Sequence, residues 1–402
     1  MQSTPATSRI AIACGGTGGH LFPGLAVAEQ LRLRGGEVTI LISPKEIDQK
    51  AVRSARGVKV ETLPAVGLTK GSYLAFGKGF LGSYRASWRL FRQAPPEAVL
   101  AMGGFTSAPP VLAGKMFQAA TFLHESNTIP GKANRWLSWV VDQAFVGFPD
   151  SQKRLHSRKV AVTGTPVRAE FHAPTGEAAA SARIQQTATA RKALGLAENQ
   201  PVLLVTGGSQ GAHGLNEMVL AALPLIAAQI PDLQLLHLTG PQDGERIQAA
   251  CAGLKLRAVV MPFYSEMSVA LAAADAVVSR AGASSLAEVA AQRLPALLVP
   301  FPAATDNHQF FNALAFQSSG AALLLDQQET RPETLAASAI RLLRDAAERN
   351  AMQAALARWH APNAAGDIAD HILKVIGERR QSTGVLSLKS SPPNQPRPSI
   401  SA

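Results

Sequence analysis

Apolar runs suited to buried strands recur at residues 9–13, 38–42, 60–63, 98–102, 121–124 and 144–146, and they alternate with helical patterns. The same rhythm restarts at 202–206 and continues through 233–238, 258–261, 276–279, 296–299 and 321–325. Alternation of this kind implies parallel sheets covered by helices, so the chain reads as two α/β units. The first strand of each unit runs into a glycine-rich turn, GGTGGH at 15–20 and GGSQGA at 207–212, which is an internal repeat. Two Rossmann-like, doubly wound domains in tandem bind ligand across a cleft at the carboxyl ends of their strands. The boundary falls near Thr165, giving an N-terminal domain over 1–165 and a C-terminal domain over 166–362. A C-terminal helix over 363–378 returns to the N-terminal domain, and a basic tail over 379–402 reads as disordered. Residues 173–189, rich in Ala, Ser, Thr and Gln, fit either a loose loop or a short surface helix.

Composition narrows the class. At 402 residues, with 47% hydrophobic and 17% charged positions, the chain has the balance of a globular protein with more than one core. The uncharged stretch near 98–114 is broken by Gly103, Gly104, Pro109 and Pro110, so no membrane-spanning helix is expected. The polar start and the glycine turn after residue 14 do not form a signal peptide, which places the chain in the cytoplasm. Cys14 and Cys251 are far apart and in no metal-ligand spacing, which excludes a disulfide framework and a zinc cage. There are 39 lysines and arginines against 28 acids, so the net charge of +11 asks for an anionic partner. Arg379, Arg380, Lys389 and Arg397 face no acid in the tail and supply +4 of it, leaving +7 on residues 1–378. No helix-turn-helix, zinc-finger or RNP signature accompanies this charge, so nucleic acid is not the expected partner.

Glycine turns of this type let backbone amides approach a phosphate at a helix N-terminus. Neither is a P-loop, because GxxxxGK[ST] is absent and Gly131-Lys132 is followed by Ala133. Nicotinamide binding is disfavoured too, since Leu21 stands where a third glycine belongs and the second strand ends Ile40-Leu41-Ile42-Ser43-Pro44 without the ribose-binding acid. A tight βα connection with no ligand explains one such turn. Two in register point to an enzyme that grips a nucleotide diphosphate between its domains, of which a nucleotide-sugar glycosyltransferase is the common form.

Six ordered segments carry a more specific likeness: GGTGGHLFPGLAVAEQL at 15–31, HESNTIPGKANRWL at 124–137, GTPVR at 164–168, GGSQGAHGLN at 207–216, SRAGASSLAEV at 279–289 and PALLVPFP with DNHQFFNA at 295–313. Together they resemble the bacterial N-acetylglucosaminyltransferases that convert lipid I into lipid II in peptidoglycan synthesis. The likeness runs from about residue 9 to about 376. It implies a GT-B fold and transfer of N-acetylglucosamine from its UDP donor to the 4-hydroxyl of undecaprenyl-diphosphate-linked N-acetylmuramoyl-pentapeptide, with inversion at the anomeric carbon. It implies no metal and no cofactor. The expected setting is the cytoplasmic face of the bacterial inner membrane, where the protein would be peripheral.

The resemblance assigns residues. Ser209 and Gln210, with Gly211, would hold the donor diphosphate, although a plain N-cap also accounts for Ser209. Arg168 would add positive charge on the donor side. Ala283, Ser284 and Ser285 would approach the phosphates and Glu288 the ribose hydroxyls, while Ser285-Leu286-Ala287-Glu288 also reads as a capping box. Tyr264 matches a position whose backbone meets the uracil edge, and its side chain reads as packing. Gln309 would bond the transferred sugar, whereas His308 replaces a residue that is commonly glutamine, which leaves its role open. Thr17, Gly18, Gly19 and Asn127 are also assigned to UDP-N-acetylglucosamine, and Gly16, Gly103 and Gly104 to the acceptor diphosphate. His20 is the first candidate base, with an orienting role as its alternative. Glu125 is the second candidate base. The other histidines, His156, His172, His213, His237, His360 and His371, show no constellation in sequence.

Residues 62–96 contain no acid, and Lys70, Lys78, Arg85, Arg89 and Arg92 interleave with Leu74, Phe76, Phe80, Leu81, Trp88 and Phe91. Leu74, Leu81 and Trp88 recur every seven residues, which places them on one helical face. The pattern fits a solvated helix covering the sheet or a contact with an anionic membrane surface, and a lipid-linked acceptor favours the membrane.

Overall fold

The computed structural model describes residues 7–15, 18–45, 57–64, 73–174, 176, 178–208 and 211–389. Seven parallel strands form the first sheet: β1 (Arg9–Ala13), β2 (Glu37–Ile42), β3 (Lys59–Thr62), β4 (Ala98–Ala101), β5 (Ala120–Glu125), β6 (Gln143–Val146) and β7 (Val160–Val162). Six parallel strands form the second: β8 (Val202–Thr206), β9 (Gln234–Leu238), β10 (Arg257–Met261), β11 (Ala276–Ser279), β12 (Ala296–Leu298) and β13 (Leu323–Leu324). The orders are β3-β2-β1-β4-β5-β6-β7 and β10-β9-β8-β11-β12-β13. Each order reverses beside its glycine turn, between β1 and β4 and between β8 and β11. Connections diverge there and leave a crevice above the sheet. The central strands β4, β8 and β11 are buried at every position, as expected of parallel strands covered on both faces. β7 has only three residues, too few to show a period in sequence.

In the first unit α1 (Gly18–Leu33), α2 (Tyr73–Gln93), α3 (Ala108–Met116) and α4 (Lys132–Leu137) cover the sheet. In the second unit the helices are α5 (Ala179–Ala193), α6 (His213–Gln229), α7 (Gly244–Gly253), α8 (Met267–Ala273), α9 (Ala283–Gln292), α10 (His308–Ser318), α11 (Pro332–Arg344) and α12 (Ala346–Trp359). Helix α5 shows that residues 173–189 are surface helix from 179 onward, anchored by Arg191, which bonds the Ala273 and Glu198 carbonyls and Asp275.

Helix α13 (Ala364–Lys389) crosses back to the first sheet, where Ile368, Ile372 and Ile376 join Ile10, Ile12 and Leu100 in one core. Phe148, just past β6, reaches the other way and packs among Phe316 and Trp359 of the second core. The segment that leads into α13 packs against Gly164, past the end of β7, where an added Cβ would lie 2.3 Å from the Ala361 Cβ.

The helix also corrects one expectation. Disorder from 379 does not hold for 379–389, which continue α13, while 390–402 lie outside the described residues. Arg379 bonds Asp142 at 2.9 Å and the Gln118 carbonyl, and Arg380 bonds Glu97 at 2.6 and 2.7 Å. Acids more than 200 positions away supply the partners that the local sequence lacks. The Arg380 bond contributes to holding the Glu97 carboxyl below its usual range against the opposing effect of burial.

Replacing Ile372 with alanine removes a fully buried side chain from the α13 interface. The expected cost is about 2–5 kcal/mol, read as a lower urea midpoint of unfolding.

Candidate active site in the interdomain cleft

The cleft is built from the loops above the two switch points. After β4 the chain turns through Gly103 (φ 114°) and Gly104 (φ 77°), a backbone that side chains rarely adopt. A Cβ on Gly103 would lie 2.7 Å from His20 Cε1 and Nδ1, and one on Gly104 would lie 2.9 Å from the Gly15 carbonyl oxygen. These glycines therefore have a local reason to be glycine: they let the imidazole of His20, in the first turn of α1, lie against the β4 loop. Gly18 and Gly19 open α1, whereas Gly16 and Thr17 lie outside the described residues.

β5 ends in His124 and Glu125, both buried. His124 Nε2 lies 3.0 Å from the Gly164 carbonyl and Nδ1 3.3 Å from Ser126 Oγ, and burial lowers its pKa to about 4, so it is neutral. The Glu125 carboxylate accepts four hydrogen bonds. Oε1 takes Asn127 N (2.8 Å) and Asn127 Nδ2 (3.0 Å), and Oε2 takes Gly131 N (3.0 Å) and Asn134 Nδ2 (2.9 Å). Four bonds fill the acceptor sites of a carboxylate, and the residue is 2% exposed. The second candidate base thus has its acceptor positions engaged within the protein, where it anchors the loop.

That loop reaches the other domain. Asn127 Oδ1 accepts from Asn312 Nδ2 (3.1 Å), and Asn312 Oδ1 accepts from Thr128 N (2.9 Å). Asn312 Nδ2 also bonds the Ala281 carbonyl at 3.1 Å. Arg135 meets Asp306 at 2.7 Å as a second tie across the cleft. Asn127, expected at the ligand, thus spends both ends of its amide within the protein. Asn312 was missed by sequence reasoning although it lies inside the DNHQFFNA segment.

On the second-domain side of the cleft α9 starts at Ala283 with Gly282 as N-cap and no side-chain cap. The capping-box reading of Ser285 and Glu288 fails, because Ser285 already stands inside the first turn. The uncapped amides of Ala283, Ser284 and Ser285 instead form a helix N-terminus at the switch point, favourable for an anion. Gln309 Oε1 accepts from Phe301 N (3.0 Å) and Ala281 N (3.3 Å), which fixes the orientation of its amide. Arg280, also missed, bonds the Val299 and Pro300 carbonyls and Gln327, bracing the same turn. Burial lowers its pKa to about 10, still fully charged at neutral pH.

Arg168 lies over the Phe22 and Phe171 rings at 5.0 and 5.2 Å and pairs with Glu170 at 3.1 Å. Near it, Glu288 is partly buried, and the loss of water raises its carboxyl to about 7, with Arg168 pulling it down and Glu170 pushing it up. Tyr264 packs on the second core as expected of its side chain, and burial raises its phenol. Ser209 and Gln210 lie outside the described residues. Their neighbour Gly211 (φ 75°) sits so close to the β9 loop that a Cβ would be 2.6 Å from Gly240 Cα. His308 Nδ1 lies 2.8 Å from the Thr305 carbonyl.

Several histidines without a sequence constellation have one in space. His213 Nδ1 lies 3.0 Å from Asp243, which also accepts from Asn216, itself bonded to His237. Glu217 completes a trio that could in principle ligate a metal, but Arg246 bonds both of its carboxylates, so a cation already occupies the charge. His156 stacks on Trp139, and His172 meets His360.

Residues 10–146 match the glycosyltransferase family 28 N-terminal domain, and 202–372 match its C-terminal domain. The chain belongs to glycosyltransferase family 28. It is 36% identical over 384 residues to the UDP-N-acetylglucosamine–N-acetylmuramyl-(pentapeptide) pyrophosphoryl-undecaprenol N-acetylglucosamine transferase of Anaeromyxobacter dehalogenans, covering 92% of this chain and 94% of that one. The protein of the same name from Pelobacter propionicus is 38% identical over 357 residues, with 84% and 91% covered. The crystal structure of Acinetobacter baumannii MurG superposes with a TM-score of 0.68 at 26% identity, covering 91% of this chain and 99% of that one. The family 28 member therefore has the GT-B architecture that its motifs implied. A UDP-GlcNAc 2-epimerase from Neisseria meningitidis bound to UDP-GlcNAc also superposes (TM-score 0.66), but at 15% identity that likeness extends to the fold alone.

The raised Glu288 carboxyl makes a stability prediction. Because the folded state holds this proton up to about pH 7 while the unfolded state releases it near 4.5, stability falls as pH rises through that window. Glu288→Gln removes this dependence, so its melting temperature should gain on the wild type between pH 4.5 and 7 and keep a constant lead above. Parallel melting curves across that window would refute the assignment.

Proposed function

We propose that this family 28 enzyme transfers N-acetylglucosamine from UDP-N-acetylglucosamine to the 4-hydroxyl of undecaprenyl-diphosphate-linked N-acetylmuramoyl-pentapeptide, forming lipid II with inversion at the anomeric carbon. The observation that carries this is identity at 36% through both domains to a transferase of that name. The acceptor oxygen attacks the anomeric carbon, the bond from that carbon to the UDP oxygen breaks, and the hydroxyl proton passes to His20. His20 suits the role because its imidazole sits above Gly103 at the first switch point.

UDP leaves as a diphosphate, whose charge is met by the amides of Ala283, Ser284 and Ser285 and by Ser209, Gln210 and Gly211 of the second glycine turn. Glu288 takes the ribose hydroxyls, Tyr264 lines the uracil site through its backbone, Arg168 contributes donor-side charge, and the Gln309 amide nitrogen bonds the sugar. Thr17, Gly18 and Gly19 border the donor sugar, while Gly16, Gly103 and Gly104 face the acceptor diphosphate. Asn127 and Glu125 act as positioning residues by fixing the loop beside the reaction.

A lipid-linked acceptor requires approach to a membrane. No described helix is long and apolar enough to cross one. Helix α2 instead exposes Leu74 (84%), Leu81 (46%) and Trp88 (37%) along one line, with Lys78, Arg85, Arg89 and Arg92 on the same helix. This favours peripheral attachment to the anionic cytoplasmic face of the inner membrane.

Labelled UDP-N-acetylglucosamine incubated with a short-chain lipid I analogue, without added metal, tests the reading. Label should enter the lipid product, and its appearance as free sugar or as an epimer would overturn the assignment. Gly103→Ala should displace the His20 ring and lower kcat by about 10²-fold or more, with donor KM nearly unchanged.

A further inference from the structure

A cavity of about 100 Å³ lies in the second domain between α5, α8 and α12, beside Ala274 and Asp275 at the amino end of β11 and so at the opposite end of that strand from the cleft. It has room for about three waters, which suits one tetrahedral oxyanion and is too little for a sugar or a nucleotide. Arg183 of α5 and Arg349 of α12 line it with Gln186, Thr187 and Gln353. Arg183 Nη2 bonds the Gln292 and Arg293 carbonyls at 3.2 and 3.4 Å, and Arg349 Nη1 bonds the Leu342 and Leu343 carbonyls at 3.1 and 2.7 Å. Each guanidinium keeps further N–H donors, and neither is in an ion pair among the described residues. The side chains of Gln186, Thr187 and Gln353 make no hydrogen bond among those residues.

The acid on the wall is already engaged, since Asp275 Oδ2 accepts from Arg191 Nη2 and Val202 N, both at 2.7 Å. Glu348, the neighbour of Arg349, is paired with Arg341. Burial lowers the Arg183 pKa, Arg293 lowers it further and Asp275 raises it. Arg183, Arg191, Arg293 and Arg349 thus gather around one paired carboxylate. Such a positive excess in a half-buried pocket attracts a counter-anion.

We propose that this pocket binds a tetrahedral oxyanion of the phosphate class, held by the remaining N–H groups of Arg183 and Arg349 and by Gln186, Thr187 and Gln353. The site lies outside the cleft and does not depend on the transferase reading. Helix α5 falls between the residues matched by the two family 28 domains, so the wall it supplies belongs to the segment that links them. Arg183 also holds the end of α9, where Gln292 Nε2 donates to the Phe171 carbonyl at 3.0 Å and Ala173 N to the Ala291 carbonyl at 3.1 Å. An anion on Arg183 braces that junction between α9 and the linking segment. The other end of α9, about 15 Å away, presents the amides of Ala283, Ser284 and Ser285 to the cleft.

Isothermal titration calorimetry of the full chain with inorganic phosphate, and separately with glycerol phosphate, tests the site at an ionic strength matched with chloride. Gln353→Glu and Thr187→Glu each place a carboxylate in the pocket without removing a hydrogen bond seen among the described residues, and Arg183→Gln removes one guanidinium. The wild type is expected to show a phosphate site that is weakened by about tenfold or more in all three variants. Phosphate held in the cleft is common to every chain, so the difference between them reports this pocket alone. Melting temperature in chloride reports folding, and Thr187→Glu carries the test if Gln353→Glu does not fold. Glycerol phosphate binding as tightly as phosphate makes the occupant a phosphomonoester group, whereas binding of the inorganic ion alone makes it free phosphate. Equal phosphate isotherms in the wild type and the folded glutamate variants, or no phosphate binding by the wild type, would overturn the site.

Discussion

A buried carboxylate is tolerated only when its lone pairs are satisfied, and Glu125 meets that condition with four donors drawn from residues 127–134. The loop is consequently fixed by one charge. From it Asn127 and Thr128 meet Asn312 and Arg135 meets Asp306, so the domains are tied across the cleft by the segment that the carboxylate organises. Asn134, another Glu125 donor, also borders Gly103, against which His20 lies. Removing this carboxylate would leave several buried donors unsatisfied and would loosen the cross-cleft contacts together.

The architecture was legible from periodicity because both sheets are parallel with central strands buried on both faces, which forces continuous apolar runs, and because each glycine turn follows a first strand. What sequence did not show depended on distant partners. The extension of α13 past 378 rests on Arg379 and Arg380 reaching Asp142 and Glu97, which no local reading of a polar, acid-free segment supplies. The brevity of β7 hid it for a simpler reason, since three residues carry no period.

At the site, residue types were found more readily than their roles. Glu125 looked like a base because it ends a central strand above the cleft, but the chemistry of a carboxylate depends on which of its lone pairs are free. Glu288 showed the reverse: a local S-x-x-E pattern suggested a cap at Ser285, and the N-cap is Gly282, three residues earlier. Asn312 and Arg280 lay within recognised motifs yet were passed over, since an interior asparagine or arginine gives no sign in sequence of the carbonyls it will meet. His213 likewise gained its Asp243 partner only through folding.

The division of labour between His20 and Glu125 is the central claim, and the pH dependence of kcat/KM for sugar transfer tests it most directly. The account predicts one acid-side ionisation in the wild type that disappears in His20→Ala but persists, at a lower overall rate, in Glu125→Gln. The opposite pattern, in which His20→Ala keeps the wild-type profile and Glu125→Gln loses the ionisation while remaining folded, would contradict it.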